Sequence, residues 1–484
     1  MPVFLVSLIG LALLAYAVNP YGIGISEDSV SYLAAAKSFM EQGKILTLGG
    51  YPSTRWAPLY PVILAFLQKL PVSLGDSMTV FNGLLYVFTV WTAWKIMRFS
   101  ITIPLLQWAA LVSISWSFAW IQAFASMWTE PLFLFLIHFV VLLLFRYYHR
   151  SHSGLWFLLG MVTGLAILQR YPGIFLLPVV CFFVFWKTKD LKSLLLATST
   201  AAIALLPISI WLIRNYLLTE TLTGQRIYGG YLFWKNMLVL ADTLTSWFVP
   251  VQVPLALRII LVFPPLLLLF IWILRSRKLQ NNIHLLLIAS YLLILIISYL
   301  TDIEEPRDRL LSPVLTSLYV LVFSGLQHLV TSSMRPAFPS WIWKAMVLIW
   351  LLYPTSRILK NAHHWHVTGV TIYNDPAWQQ SGTIHWLKQH ELEGRSFSND
   401  IFAIYYFTGR RSGFVPKTLY KRRFPVFYQS VKPGDYLIWF ENKTWYRWHN
   451  LGAIQQKLKM QEIHRFNDGR IFVILENNIS PSES

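Results

Sequence analysis

Apolar residues in this chain gather in long runs. They fall at about 2 to 18, 78 to 97, 104 to 124, 130 to 146, 154 to 169, 173 to 186, 194 to 213, 255 to 274, 283 to 300, 310 to 330 and 341 to 357. Roughly 20 apolar residues in helical form cross a bilayer core, so the pattern predicts about eleven transmembrane helices. Two segments of a long first loop, 19–77, depart from it. Ala57 to Leu70 is apolar, too short to cross and bounded by prolines, which predicts an interfacial helix. Asp28 to Gln42 sets Val30, Leu33, Ala34, Phe39 and Met40 among polar residues, the pattern of a helix lying along a membrane surface.

From about Tyr373 the elements become short. The order predicts a helix from Trp378 to Glu391, a strand near Phe397 to Ser398, a helix from Ile401 to Phe407 and a strand from Asp435 to Phe440. A helix from Leu451 to Met460 and a hairpin from Glu462 to Leu475, turning at Asn467-Asp468-Gly469, complete it. The expected fold is a polytopic α-helical membrane domain over 1–358, followed by a small extracytoplasmic α/β domain over 371–476. No internal repeat is visible, which argues against an inverted-repeat transporter.

Composition agrees with this division. Hydrophobic residues make up 55% and charged residues 13%, against roughly 25% charged in soluble domains. A net charge of +18 would suggest nucleic acid in a soluble protein. Between apolar runs, however, basic residues set orientation and meet lipid headgroups, and no nucleic-acid partner is expected. Cys181, the only cysteine, lies inside an apolar run, which rules out an internal disulfide and a cysteine-based metal site.

Alternate connections carry the basic residues: Lys95 and Arg98; Arg146 and Arg150; Lys187, Lys189 and Lys192; Arg275, Arg277 and Lys278; Arg335 and Lys344. The positive-inside rule makes these cytoplasmic. It leaves the N-terminus inside, and the first loop, the stretch 214–254, residues 302–309 and the C-terminal domain outside a cell (plasma) membrane. Ala15-Tyr16-Ala17 mimics a signal cleavage site, but the run before it lacks a basic start, so the first helix reads as an uncleaved span.

The candidate chemistry lies at the outer span ends, where ionisable residues near a bilayer are often functional. In the first loop, Glu27 and Asp28 precede the amphipathic helix; the plainer reading is that Asp28, or Ser26 before it, caps that helix. Glu130 follows Trp128-Thr129, with Pro131 after it; here Thr129 is the plainer cap. Arg170 sits in Gln169-Arg170-Tyr171-Pro172. Arg307 and Arg309 sit in Glu304-Glu305-Pro306-Arg307-Asp308-Arg309, where guanidinium forks suit phosphate oxygens unless they pair only with the neighbouring acids. Arg214 and Arg226 flank an outer loop and are weaker candidates. His363-His364-Trp365-His366 suits interfacial anchoring better than a metal site. Arg410-Arg411 and Lys421-Arg422-Arg423 fit an anionic acceptor or a headgroup-facing surface, and Asn442-Lys443-Thr444 and Asn478-Ile479-Ser480 are glycosylation sequons.

The first loop carries Asp28-x-x-x-Tyr32-x-x-x-Ala36-Lys37, then Gly43 and then Pro58 opening an interfacial helix, and in this it resembles the GT-C superfamily of membrane glycosyltransferases. That superfamily includes the protein O-mannosyltransferases and the lipid A aminoarabinose transferases. Ser29 stands where many members have a second acid, and Glu27 precedes Asp28 instead. The resemblance implies a polyprenyl-phosphate-linked sugar as donor, a lipid, glycan or protein acceptor, and a hexosyl- or pentosyltransferase reaction. It implies Asp28 and Glu130 as catalytic residues, with Glu27, Tyr32, Arg55, Arg170, Glu305, Arg307 and Arg309 binding substrate. Arg309 precedes the Leu310-Leu311-Ser312-Pro313 step as an Arg does in members of the superfamily. The cofactor stays open, with a divalent cation among the choices. The rival readings are a transporter or lipid flippase without transferase activity and a catalytically dead scaffold.

Overall fold

Helices begin where Pro, Ser and Asp punctuate the apolar runs. Pro104 opens the helix Pro104–Ser115, Ser117 caps Phe118–Phe124 by accepting from Trp120 N, and Asp190 and Ser193 form a reciprocal cap on Leu191–Thr219. These elements belong to a computed structural model that describes residues 2–149, 154–224, 233–276, 278–298, 307–331, 339–416, 424–441 and 450–477. The chain divides into two compact units. The first is Met1–Gly24 with Ser53–Val370; the second is Ile25–Pro52 with Thr371–Ser484.

Among the described residues, seven helices of the first unit are long and apolar enough to cross a membrane: Leu74–Met97, Glu130–His149, Leu191–Thr219, Leu255–Ser276, Leu279–Ser298, Asp308–Thr331 and Ser340–Thr368. The run expected as one span over 104–124 is instead two helices bent by 48°. The break has a local cause: Ser117 restarts the helix, while Trp116 Nε1 donates to Val6 O at 3.1 Å. Counted as one span, the pair makes eight. Three shorter apolar helices, Val3–Val18, Leu155–Gln169 and Tyr171–Trp186, accompany them. The architecture is that of a polytopic membrane protein.

The short apolar run after Ala57 forms the helix Leu59–Leu67. The stretch 214–254, expected as a loop, contains the helix Phe233–Ser246, whose polar residues hid it from a search for apolar runs. The histidines near residue 364 bind the first helix to the last span. Tyr16 OH lies 2.9 Å from His363 Nδ1, His366 Nδ1 lies 3.0 Å from Tyr16 O, and the Tyr16 and His366 rings stack at 4.3 Å.

The second unit contains a five-stranded sheet of β1 (Ser396–Ser398), β2 (Gly413–Phe414), β3 (Tyr436–Phe440), β4 (Leu458–Arg465) and β5 (Gly469–Asn477), in the order β2-β1-β3-β5-β4. Strand β1 runs parallel to β2 and β3, and β5 runs antiparallel to β3 and β4. The hairpin turns where Asn467-Asp468-Gly469 suggests. Asp468 also reaches across to the start of the helix Gly382–Gln389. Its carboxylate accepts from Ser381 Oγ and from Thr383 N and Oγ1, at 3.3 and 3.2 Å for the last two. This explains why the helix expected from Trp378 begins only at Gly382, after a 3₁₀ turn. The helix expected to reach Met460 stops at Lys457, because Leu458 already pairs with Asn477 in the sheet. Strand β2 and the helix Phe424–Ser430 were not expected.

The segment Ile25–Pro52 joins this unit through backbone chemistry. Ile25 N donates to Asn374 Oδ1 at 2.5 Å, and Tyr373 N donates to Ile25 O at 3.1 Å. Its helix, Glu27–Gln42, packs on the helix Ile401–Thr408. The buried side carries Ser29, Val30, Tyr32, Ala34, Ala35, Ala36 and Ser38, whereas Met40 is exposed. The stripe expected to face a membrane is therefore split, because the small residues beside it allow close packing on another helix.

Candidate active site

Three helix ends meet at one end of the first unit's bundle: the start of Glu130–His149, the end of Leu155–Gln169 and the start of Asp308–Thr331. Each end is held locally. Asn82 Nδ2 donates to Phe124 O and Ser126 O at 3.0 and 2.9 Å, and Gly24 O accepts from Met127 N in the same segment. These bonds fix the approach to Glu130. On the second side, Gly173 N donates to Arg170 O at 2.8 Å, and a Cβ on Gly173 would stand 2.5 Å from Ala166 O. Glycine is needed there to fold the turn tightly behind Arg170.

Glu130 is 1% exposed and accepts from two guanidiniums. Arg309 Nε donates to its Oε1 at 2.6 Å, Arg170 Nη1 makes an ion pair with the same oxygen, and Thr129 Oγ1 donates to Oε2 at 3.2 Å. Arg170 Nη1 also donates to Thr129 Oγ1 at 3.1 Å, and Gln169 Nε2 donates to Thr129 O at 2.9 Å. The Arg309 guanidinium lies over the Trp128 ring at 4.2 Å, and that of Arg170 over Phe133 at 5.6 Å. One carboxylate thus faces two cations, and the trio keeps a net positive charge. Such a cluster is chemically suited to a further anion, since guanidinium carries five N–H donors in a fixed fork.

Asp308, next to Arg309, has partners of its own. Asp308 turns to Trp247 Nε1, which donates at 2.7 Å, and to Arg357 at 3.4 Å. Arg307 is exposed, and its carbonyl accepts from Leu310 N and Leu311 N at the helix start. Arg55 is exposed, with its guanidinium 5.5 Å from the Trp56 ring centre. Its flanking backbone is fixed from the Arg170 turn: Tyr171 OH donates to Thr54 O and Trp56 O at 2.9 and 3.1 Å. Arg214 donates to Ser53 O at 3.0 Å and so supports the same loop. Glu304, Glu305, Arg226, Lys421-Arg422-Arg423 and both sequons lie outside the described residues.

Glu27, Asp28 and Tyr32 belong to the second unit. Ser26 caps their helix in a reciprocal pair with Ser29, with Ser29 N to Ser26 Oγ at 3.5 Å and Ser26 N to Ser29 Oγ at 3.0 Å. Asp28 is therefore in the first turn, half-buried, and is not the cap. Tyr32, one turn on, is 2% exposed. Tyr373 OH donates to Asp400 Oδ1 at 2.8 Å. Burial pushes the Tyr373 phenol well above its ordinary range, and the Asp400 and Glu27 carboxylates add to that shift. Glu27 thus lies toward the Tyr373–Asp400 pair.

No protein-family model matches the chain, and no curated protein does. Solved structures do. ArnT from Cupriavidus metallidurans bound to undecaprenyl phosphate matches 99% of this chain and 98% of its own, at a TM-score of 0.61 and 12% identity. The fold is that of the GT-C glycosyltransferases. Two further GT-C structures, both from Archaeoglobus fulgidus, agree. The oligosaccharyltransferase in complex with Zn and sulfate has a TM-score of 0.57 at 12% identity, over 91% of this chain and 68% of that one. Oligosaccharyltransferase AglB with an inhibitory peptide and a dolichol-phosphate has a TM-score of 0.53 at 12% identity, over 100% and 74%.

Sequence reading took Thr129 as a helix cap and Asp308 as a pairing partner, and gave no role in the site to Gln169, Trp128, Arg357, Tyr373, Asn374 and Asp400. Gln169 offered one signal, an amide beside an arginine at a span end. The others take part through contacts far apart in the sequence. Among the described residues, no three of His, Cys, Asp and Glu gather to hold a metal ion.

Proposed function

We propose that this chain is a membrane glycosyltransferase that moves a sugar from a polyprenyl-phosphate donor to an extracytoplasmic acceptor hydroxyl. The observation that carries the reading is the Glu130–Arg170–Arg309 cluster, with two cations on one carboxylate, in a chain of GT-C fold. In the reaction the bond between the anomeric carbon and the phosphate oxygen breaks, and the acceptor oxygen takes its place on that carbon. The acceptor's proton passes to Asp28, the general base. The departing lipid phosphate gains charge, which Arg309 and Arg170 stabilise, with Arg55 and Arg307 as further contacts. Glu130 acts by orienting the two guanidiniums, and Glu27 and Tyr32 support the Asp28 helix. Purified protein given a panel of polyprenyl-phosphate hexoses and pentoses, with and without EDTA, should release sugar or transfer it. A panel that yields neither would overturn the reading.

The proposed topology has eleven spans, the N-terminus in the cytoplasm and the C-terminal domain outside a plasma membrane. Basic residues at the proposed inner ends lie against aromatic rings, as at a membrane interface: Lys95 and Arg98 at 5.1 and 4.8 Å from the Trp94 ring, and Lys187 at 4.5 Å from that of Tyr147. Reporter fusions after Lys278 and after Glu476 should report opposite sides. The same side for both would refute the topology.

A further inference from the structure

The paired arginines Arg410-Arg411 have different surroundings in the second unit. Arg410 Nη1 donates to His390 O at 2.6 Å. Arg411 instead lines an open pocket with Ala34, Lys37, Ser38, Glu41, Tyr405 and Gly409. Two sequence-distant segments build it: the helix Glu27–Gln42 supplies Lys37 and Glu41, and the end of the helix Ile401–Thr408 with the turn after it supplies Tyr405 and Arg411. A Cβ on Gly50, at φ +82°, would stand 3.1 Å from Arg411 Nη1, so the absence of a side chain there leaves room for the guanidinium.

The charges do not balance. Lys37 and Arg411 are set against Glu41 alone, and Glu41 meets Lys37 only at 3.9 Å. Among the described residues Arg411 has no ion pair. Burial raises the Tyr405 phenol, with Arg411 and Glu41 acting on it in opposite directions, so it remains a neutral hydroxyl donor. An ammonium, a guanidinium and a phenol O–H around one small pocket form a set of donors for phosphate-like oxygens. Lys37 stands nine residues after Asp28, about 13 Å along the helix and on its other side. The pocket is therefore not the proposed point of proton transfer.

We propose that Lys37, Tyr405 and Arg411 form an accessory subsite for a phosphate-sized anion, supplied by the acceptor or by a lipid headgroup. Only its use in glycosyl transfer rests on the function proposed above; anion binding itself does not.

Isothermal titration of the full-length protein in neutral detergent with inorganic phosphate tests it. Arg411→Gln or Lys37→Gln should weaken a phosphate-binding event by about ten-fold or more, as expected for loss of one charge-assisted hydrogen bond. Glu41→Gln should tighten the same event, because it removes the one opposing carboxylate. Arg309→Gln should remove only a separate event at the Glu130–Arg170–Arg309 cluster. Phosphate binding lost only in Arg309→Gln, or weakened by Glu41→Gln, would overturn the subsite while leaving the proposed transferase intact. Circular dichroism confirms folding of each variant. Titrations in nanodiscs with and without phosphatidylglycerol identify the source: suppression by that lipid marks a headgroup, and persistence marks an acceptor anion.

Discussion

Glu130→Gln is expected to destabilise the protein by about 3–5 kcal/mol, the range for removing one partner of a buried ion pair. Glutamine keeps the shape but removes the charge that holds Arg170 and Arg309 together, at 16% and 17% side-chain exposure. Two guanidiniums would then repel one another beside Trp128 and Phe133 with no carboxylate between them. Thermal unfolding of the purified variant in detergent reads the loss. The double variant Glu130→Gln, Arg170→Gln should recover part of it, because it removes one of the stranded charges. If Glu130→Gln unfolds like the parent, the carboxylate does not organise the cluster. If the double variant is less stable than the single one, charge repulsion is not the cause.

Asp28→Asn is expected to lower transfer by about 10²- to 10⁴-fold, the contribution of a positioned general base. The structure sharpens this test, because Ser26 and Ser29 supply the helix cap and the substitution leaves both in place. Asparagine is close in shape to aspartate but accepts no proton at neutral pH. Glu27→Gln is the neighbouring control. Glu27 lies toward Tyr373 and Asp400, so its loss should cost less if Asp28 meets the reacting hydroxyl. Turnover is measured beside abundance and donor binding. Near-normal transfer in Asp28→Asn would remove it as base, and equal loss in both variants would point to a shared electrostatic role.

The apolar runs were legible because span length is a one-dimensional property. A helix such as Asp308–Thr331 could be read from the residues it contains. The bend at Trp116–Ser117 was not, because Ser113, Ser115 and Ser117 all fall in the run and nothing local marks which of them restarts the helix. Ionisable residues at span ends could likewise be singled out one by one, since each is costly near lipid. Their partners could not: Glu130 and Arg309 are 179 positions apart, and sequence proximity offered only Glu304, Glu305 and Asp308 to Arg309. The same limit hid the grouping of Ile25–Pro52 with the C-terminal domain, which depends on a bond between Ile25 and Asn374 across 349 positions. The cap on the Asp28 helix was local and almost readable. Ser26 and Asp28 were both eligible, and the serine at Ser29, where many GT-C members have an acid, completes the pair with Ser26.

The central claim is that the Glu130–Arg170–Arg309 cluster holds a polyprenyl phosphate. Native mass spectrometry of the purified protein with undecaprenyl phosphate, and with the uncharged polyprenol of equal length, tests it directly. The account predicts a one-to-one adduct with the phosphate and little with the alcohol. Arg309→Ala should weaken that adduct by roughly 10- to 100-fold, the range for a charged hydrogen bond, while Arg170 still pairs with Glu130 and keeps the fold. Equal binding of phosphate and alcohol, or an undiminished adduct in well-folded Arg309→Ala, would contradict it.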